Sequence, residues 1–275
     1  MTDSRLLQGI PRIGRARGFR IYDLQGRRYL DLFRDGALLG HRGAGSVTVM
    51  KSALSQGLAA SLPSVWEKRL AAALARAFPR YPEVRLYSSH ERAWDAVCRY
   101  LGGPLRPPLH DPALDAVPRG DAAVAVWRPL LPVAASGARA LLPLLPFRVA
   151  GAPAPACFAD AEASTVPQSD TVPGFILAAA LRGFTSVLSP PEGGRGPLAN
   201  PPVEKALDAA HGWSRAGPYV KALFPESEYP RVHAEFMRAG VLLSPGYPGP
   251  SVLPGDCSPG ESRLLADLFT GIPGG

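Results

Sequence analysis

Lysine is scarce in this chain: the four lysines are Lys51, Lys68, Lys205 and Lys221, and none lies between positions 69 and 204. A lysine amine attacks carbonyl compounds when its surroundings favour the neutral form. Each of the four lies in a segment whose pattern is typical of a helix, where a lysine is usually solvated. We therefore expect no catalytic residue among them.

Two hydroxyls and an imidazole, those of Ser88, Ser89 and His90, lie where a short alternating strand, EVRLYSS, passes into a helix, HERAWDAVCRYL. The first backbone N–H groups of a helix lack partners within the helix and attract anions. The pattern therefore predicts a capping box of Ser88 with Glu91. Asp160, at the end of the apolar segment PACFA, is typical of a turn residue that follows a strand.

Residue types that would indicate other chemistry are dispersed. The three cysteines, at positions 98, 157 and 257, are far apart and odd in number, which predicts neither a disulfide framework nor a metal cluster. No histidine is spaced with carboxylates as metal ligands would be, and no hydrolase triad or nucleotide-binding loop occurs. We expect no metal site and a reducing, cytoplasmic location.

Composition indicates a globular chain, with 46% hydrophobic and 19% charged residues among 275. The 31 prolines predict interrupted elements and long connections. The net charge of +7 arises from 26 Arg and 4 Lys against 23 Asp and Glu. Because the basic residues alternate with the acids along the chain, we expect no nucleic-acid partner. The most apolar stretch, ALLPLLPFRVAGAPAPA, is too short and too rich in proline to span a membrane, and the N-terminus lacks the apolar core of a signal peptide.

The elements that must position these residues are strands separated by helices, which favours an α/β fold with a partly parallel sheet covered by helices. Residues 1–18 are expected to be an extended arm. A hairpin turning at Gly26 follows. Expected helices, with capping boxes at Ser64–Glu67 and Ser258–Glu261, are 46–60, 64–78, 90–101, 173–188, 202–217, 229–239 and 258–269. The expected strands are 83–89, one strand within 121–132, 155–160, and one strand that begins at 240.

Three signals in the first hundred residues occur in a fixed order: GFRIYDLQGRRYLDL, then LLGH at 38–41, then VRLYSSHERAWDAVCRYL. Together they resemble the start of the class III aminotransferases, the pyridoxal-phosphate-dependent, fold-type I family that includes glutamate-1-semialdehyde aminomutase. The C-terminal segment FMRAGVLLSPGYPGPSVLPGDCSPGESRLLADLF is similar to the small-domain ending of that family. Both ends of the chain resemble the family, and the segment between them is shorter than in members of that family.

The resemblance implies an aminotransferase-like α/β fold with a reduced large-domain sheet and a small α+β domain built from both termini. The expected divisions are 1–62 for the arm, hairpin and first helix, 63–190 for the reduced large domain, and 191–275 for the C-terminal small domain. It also implies a homodimer.

The resemblance further implies a place for the cofactor. Ser88, Ser89 and His90 match the Ser-Gly-Ser/Thr turn that binds the cofactor phosphate, although the glycine is missing. Asp160 would correspond to the acid beside the pyridine nitrogen. The aromatic-His-Gly motif has no counterpart, and no lysine stands in a Ser/Thr-x-x-Lys loop.

We expect a shortened, degenerate member of this family, without transaminase activity and without a bound cofactor. It would bind a small anionic metabolite or a partner subunit. Two alternatives remain open. One is an active pyridoxal-phosphate aminotransferase or aminomutase acting on an amino acid or amino-aldehyde, using Lys205 or Lys221 or a site completed across a dimer. The other is an interaction protein with no ligand.

Overall fold

A computed structural model of the chain describes residues 4–33, 36–41, 45–103, 107–115, 120–133, 137–146, 151–160, 166–188 and 200–271. The chain forms two compact units. The terminal unit comprises Met1–Arg42 and Pro190–Gly275, and the central unit comprises Gly43–Ser189. Within the described residues, no helix has both the length and the apolar character needed to cross a membrane.

Helices and strands alternate along much of the described chain. The helices are α1 (Ser4–Gln8), α2 (Gly36–Leu39), α3 (Ser46–Ser55), α4 (Val65–Ala77), α5 (His90–Tyr100), α6 (Gly174–Leu188), α7 (Pro201–Ala209), α8 (Tyr229–Arg238) and α9 (Pro259–Thr270). The strands are β1 (Ile13–Arg17), β2 (Arg20–Asp23), β3 (Arg28–Asp31), β4 (Glu83–Tyr87), β5 (Leu109–His110), β6 (Val124–Trp127), β7 (Ala140–Pro143), β8 (Ala154–Phe158), β9 (Trp213–Ala216), β10 (Tyr219–Ala222), β11 (Val241–Leu242) and β12 (Ser251–Val252).

The central unit contains a five-stranded sheet in the order β4-β8-β7-β6-β5. Strands β5, β6 and β7 are parallel, and β8 is antiparallel to both β7 and β4. Strand β4 therefore points in the same direction as the three parallel strands. All five residues of β8 are buried, as a strand inside a helix-covered sheet requires.

The terminal unit is built from both ends of the chain. Its four-stranded sheet has the order β1-β2-β3-β11, and β11 pairs in parallel with β3. The predicted hairpin is confirmed as β2 and β3, with Gly26 at a φ of 83°, which favours glycine. A second sheet in this unit has the order β12-β10-β9.

The LLGH turn packs against the hairpin of the same unit. The His41 N–H donates to Gly18 O at 2.7 Å, and His41 Nε2 lies 2.8 Å from Asp31 Oδ2. Gly40 has a φ of 70°, and a Cβ there would lie 3.1 Å from Gly18 O. Glycine is therefore required at position 40 both for the backbone conformation and for the close approach.

The segment predicted to be one helix over 202–217 is half helix and half strand, so that prediction was wrong. Helix α7 ends at Ala209, and β9 and β10 form a hairpin through Gly217, which has a φ of 55°. The reason is tertiary packing: the Trp213 ring lies 5.1–5.8 Å from three buried phenylalanine rings. Lys221 is consequently a strand residue.

The N-terminal arm was also predicted wrongly. Residues 4–8 form helix α1, and β1 pairs antiparallel with β2 instead of remaining isolated. Pro11 precedes β1 and does not interrupt it, whereas Gly18 supplies the positive φ (56°) of the turn into β2.

The helix caps agree with the sequence only in part. The Ser258–Glu261 capping box is confirmed at α9. Ser64 is the N-cap residue of α4, but its side chain makes no capping hydrogen bond, so that capping box was wrong.

Candidate functional site

The candidate site is the turn between β4 and α5, where Ser88 and Ser89 were predicted to face an anion. Ser89 is the N-cap residue of α5, and its Oγ accepts a hydrogen bond from the Arg92 backbone N–H at 3.2 Å. The predicted capping box of Ser88 with Glu91 was therefore wrong, because Ser89 is the N-cap residue. Ser88 is left with its N–H and its hydroxyl directed elsewhere.

An internal carboxylate, that of Asp170, occupies this turn. The Ser88 N–H and the Ser88 hydroxyl both donate to Asp170 Oδ2, at 2.9 and 2.7 Å. Arg92 adds two further bonds, from Nε to Oδ2 at 3.2 Å and from Nη2 to Oδ1 at 2.6 Å. The Ser88 N–H, the Ser88 hydroxyl and the Arg92 guanidinium, which could hold an external anion, are thus bound to a carboxylate of the chain itself.

The pKa values of two carboxyls at this turn, those of Asp170 and Glu91, are both lowered, as their hydrogen bonds require. The Arg92 hydrogen bond, followed by the bonds from Ser88, lowers the pKa of Asp170 well below its usual range despite an opposing effect of burial. The backbone N–H at the start of α5 and the Ser89 hydroxyl likewise lower the pKa of Glu91. The turn therefore favours negative charge, as expected for a helix N-terminus.

Asp170 is held in place because its segment lies along the outer edge of β4. The Leu86 N–H donates to Ser169 Oγ at 3.1 Å, and the Asp170 N–H donates to Leu86 O at 2.9 Å. The Tyr87 hydroxyl donates to Pro167 O at 2.8 Å. These contacts cover the edge of the sheet and fix the Asp170 carboxylate beside Ser88.

The other two predicted site residues do not join this cluster. His90 is exposed and is the first residue of α5. Asp160 is exposed and follows β8 at the end that pairs with Glu83, whereas Ser88 follows Tyr87 at the opposite end of β4. The length of these strands separates the two ends by about 14 Å, so Asp160 and Ser88 do not border one small site.

Two polar residues that the sequence did not single out follow β5 and β6 at the same end of the sheet as Ser88. Arg128 donates from Nε and Nη2 to the two carboxylate oxygens of Asp111, both at 2.7 Å. Buried His110 lies beside them, with Nδ1 3.4 Å from Asp115 Oδ2. Four strand spacings, about 19 Å, separate β5 from β4, so this cluster is distinct from the Asp170 turn.

The four lysines lie outside the segment of the chain that forms this sheet. Lys51, Lys68 and Lys205 are exposed on α3, α4 and α7, and Lys221 is half-buried on β10. The whole five-stranded sheet and its connections, residues 83–158, fall within the stretch that has no lysine. The sheet and its connections therefore contain no lysine that could form an adduct with pyridoxal phosphate.

Comparison with curated proteins finds relatives of two kinds, although no family model matches. An uncharacterized protein of Treponema pallidum is 29% identical over an alignment of 283 positions, gaps included, which covers 91% of each chain. A glutamate-1-semialdehyde 2,1-aminomutase of Syntrophus aciditrophicus is 34% identical over 102 residues, which are 36% of this chain and 24% of the aminomutase. This chain is therefore about two thirds as long as that aminomutase and close in length to the Treponema protein.

Solved structures share the fold over nearly the whole chain. An (S)-enantioselective omega-transaminase from Thermomicrobium roseum has a TM-score of 0.68 at 14% identity, covering 98% of this chain and 94% of that one. A glutamate-1-semialdehyde aminomutase from Pseudomonas aeruginosa has a TM-score of 0.62 at 16% identity, covering 94% and 86%. The α/β fold expected from the resemblance is thus confirmed.

Proposed function

We propose that this chain, which has the class III aminotransferase fold and is similar in part of its sequence to glutamate-1-semialdehyde aminomutase, has no transaminase activity and acts by binding. The observation that carries the proposal is the absence of lysine from position 69 to position 204. Transamination on pyridoxal phosphate needs a lysine amine both to hold the cofactor covalently and to move a proton. No other side chain in this stretch supplies a comparable amine.

The Asp170 carboxylate supports the same proposal independently. A cofactor phosphate at the start of α5 would have to displace a carboxylate that receives hydrogen bonds from the Ser88 N–H, the Ser88 hydroxyl and the Arg92 guanidinium. A phosphate and Asp170 at this place would repel each other. Ser88 and Ser89 therefore stabilise the fold, Ser88 through Asp170 and Ser89 through the Arg92 N–H.

The proposed binding role has two candidate ligands, a small anionic metabolite and a partner subunit. The resemblance favours a homodimer. Sedimentation at micromolar concentration tests this part: a dimer supports it, and a monomer counts against it.

The absence of turnover is tested by incubating the purified protein with pyridoxal phosphate and an amino donor such as L-glutamate. The absorbance of the cofactor reports any conversion to the amine form. We expect a rate equal to that of free pyridoxal phosphate, because the sheet and its connections contain no lysine. A rate proportional to protein concentration, abolished by Lys205→Ala or Lys221→Ala, would instead establish the active alternative.

A further inference from the structure

A groove of about 590 Å³ lies in the central unit between α4 and α6, with Val49 of α3 at its border. Trp66, Arg69, Ala73 and Arg76 line it from α4 at helical spacing, so that helix borders the groove over about 15 Å. This groove shares no residue with the Asp170 turn.

The bottom of the groove is apolar, and its rim is cationic. Buried Ala73 of α4 and buried Ala178 of α6 face it, together with Leu181. Three arginines, Arg69, Arg76 and Arg182, contribute to the rim. Among the described residues that line the groove, none is an aspartate or a glutamate.

Two of these guanidinium groups are placed by packing. The Arg69 guanidinium lies over the Trp66 ring, 4.8 Å from its centroid. The Arg182 side chain passes close to the backbone of Gly45, where a Cβ would lie 3.3 Å from Arg182 Nε. Gly45 has a φ of 88°, which also favours glycine, so the close approach of Arg182 depends on this position.

We propose that this groove binds an amphipathic carboxylate, with an alkyl or aromatic body on the alanine floor and its carboxylate among the arginines. The charge of the rim selects an anion, and the apolar floor selects a ligand that is mostly hydrocarbon. The volume is typical of sites for small organic molecules.

Decanoate is the probe for the proposal, and its displacement of the anionic dye 1-anilinonaphthalene-8-sulfonate is the readout. We expect saturable binding of one decanoate per chain and no competition from decyltrimethylammonium, which has the same alkyl chain and the opposite charge. In the Arg69→Glu/Arg76→Glu variant, the affinity for decanoate should fall by about tenfold, because two favourable charge pairs become repulsive. Lys68→Glu is the matched control, since Lys68 is exposed on the same helix and does not line the groove.

A second variant, Ala72→Trp, fills the groove from an exposed position and should abolish decanoate binding while the circular dichroism spectrum stays unchanged. Vesicles of phosphatidylglycerol, which carry a phosphodiester anion and no carboxylate, test whether the groove selects a carboxylate or accepts any lipid anion. Binding of decanoate without binding of vesicles would support the proposal, and vesicle binding weakened by the same two arginine substitutions would overturn the assignment to a carboxylate. Absence of decanoate binding, or equal binding by the parent protein and both variants, would overturn the proposal.

Discussion

The Asp170→Ala variant is expected to bind inorganic phosphate that the parent protein does not bind. Removing the carboxylate leaves the Ser88 N–H, the Ser88 hydroxyl and the Arg92 guanidinium directed at one vacant position at the start of α5. This set of donors is typical of phosphate sites. Phosphate at about ten times its dissociation constant would stabilise the variant by about 1.4 kcal/mol, which raises the melting temperature by roughly 2–4 °C.

The same substitution should lower the free energy of unfolding in the absence of phosphate by about 1–2 kcal/mol, because several charge-assisted hydrogen bonds are lost and water replaces only part of them. Asp160→Ala is the matched control, since it removes an exposed acid at the other end of the same strands. Thermal melts of the parent protein and both variants, with and without phosphate, provide the measurement. An equal phosphate effect on the parent protein and the Asp170 variant would show that Asp170 does not occupy an anion site.

Replacing Glu261 with glutamine should lower the free energy of unfolding at pH 7 by about 3 kcal/mol, which is the largest stability effect we expect. Glu261 is 5% exposed and accepts hydrogen bonds from Arg20 Nε at 2.8 Å and from Arg20 Nη2 at 2.5 Å. It joins β2, near the N-terminus, to α9, near the C-terminus. Glutamine retains the shape but leaves the buried side of the Arg20 guanidinium without its counter-charge.

The pH dependence of the Glu261 effect has a definite sign. The Arg20 hydrogen bond is the largest of the effects that together lower the pKa of Glu261 from 4.5 to about 2. A carboxyl whose pKa is lower in the folded state stabilises the protein above its unfolded pKa, and this contribution is lost as the pH falls from about 4.5 towards 2. Urea unfolding at several pH values should therefore show the difference between the parent protein and Glu261→Gln vanish near pH 2. Asp267→Asn, an exposed acid on α9, is the control, and a difference independent of pH would contradict the account.

Local signals in the sequence were sufficient for several elements of the fold. The hairpin of β2 and β3 was predictable because alternation and Gly26 specify it within a dozen residues. The start of α9 was predictable because Ser258 and Glu261 cap it reciprocally. The hairpin of β9 and β10 was missed because Trp213 is buried by rings more distant along the chain, and no pattern within 202–217 reveals that contact.

In the candidate site, too, the residues marked by neighbouring sequence were predictable, and the partner that is distant along the chain was not. The sequence identified Ser88 and Ser89 as helix-start residues with an affinity for an anion, because their position before α5 is local information. It did not identify the anion, because Asp170 is 82 residues away from Ser88 along the chain and lies in a segment without periodicity. The resemblance placed Ser88 and Asp160 in one cofactor site, whereas the antiparallel register of β4 and β8 places them at opposite ends of these strands.

The central claim, that no lysine of this chain forms a specific bond with pyridoxal phosphate, is tested most directly by borohydride trapping. The folded protein and the same protein unfolded in urea are treated with equal amounts of pyridoxal phosphate, reduced, and mapped by mass spectrometry. We predict that Lys51, Lys68, Lys205 and Lys221 are each labelled no faster in the folded chain than in the unfolded chain, and that none reaches one adduct per chain. Stoichiometric labelling of a single lysine, faster in the folded protein than in the unfolded one, would contradict the account and identify the catalytic residue.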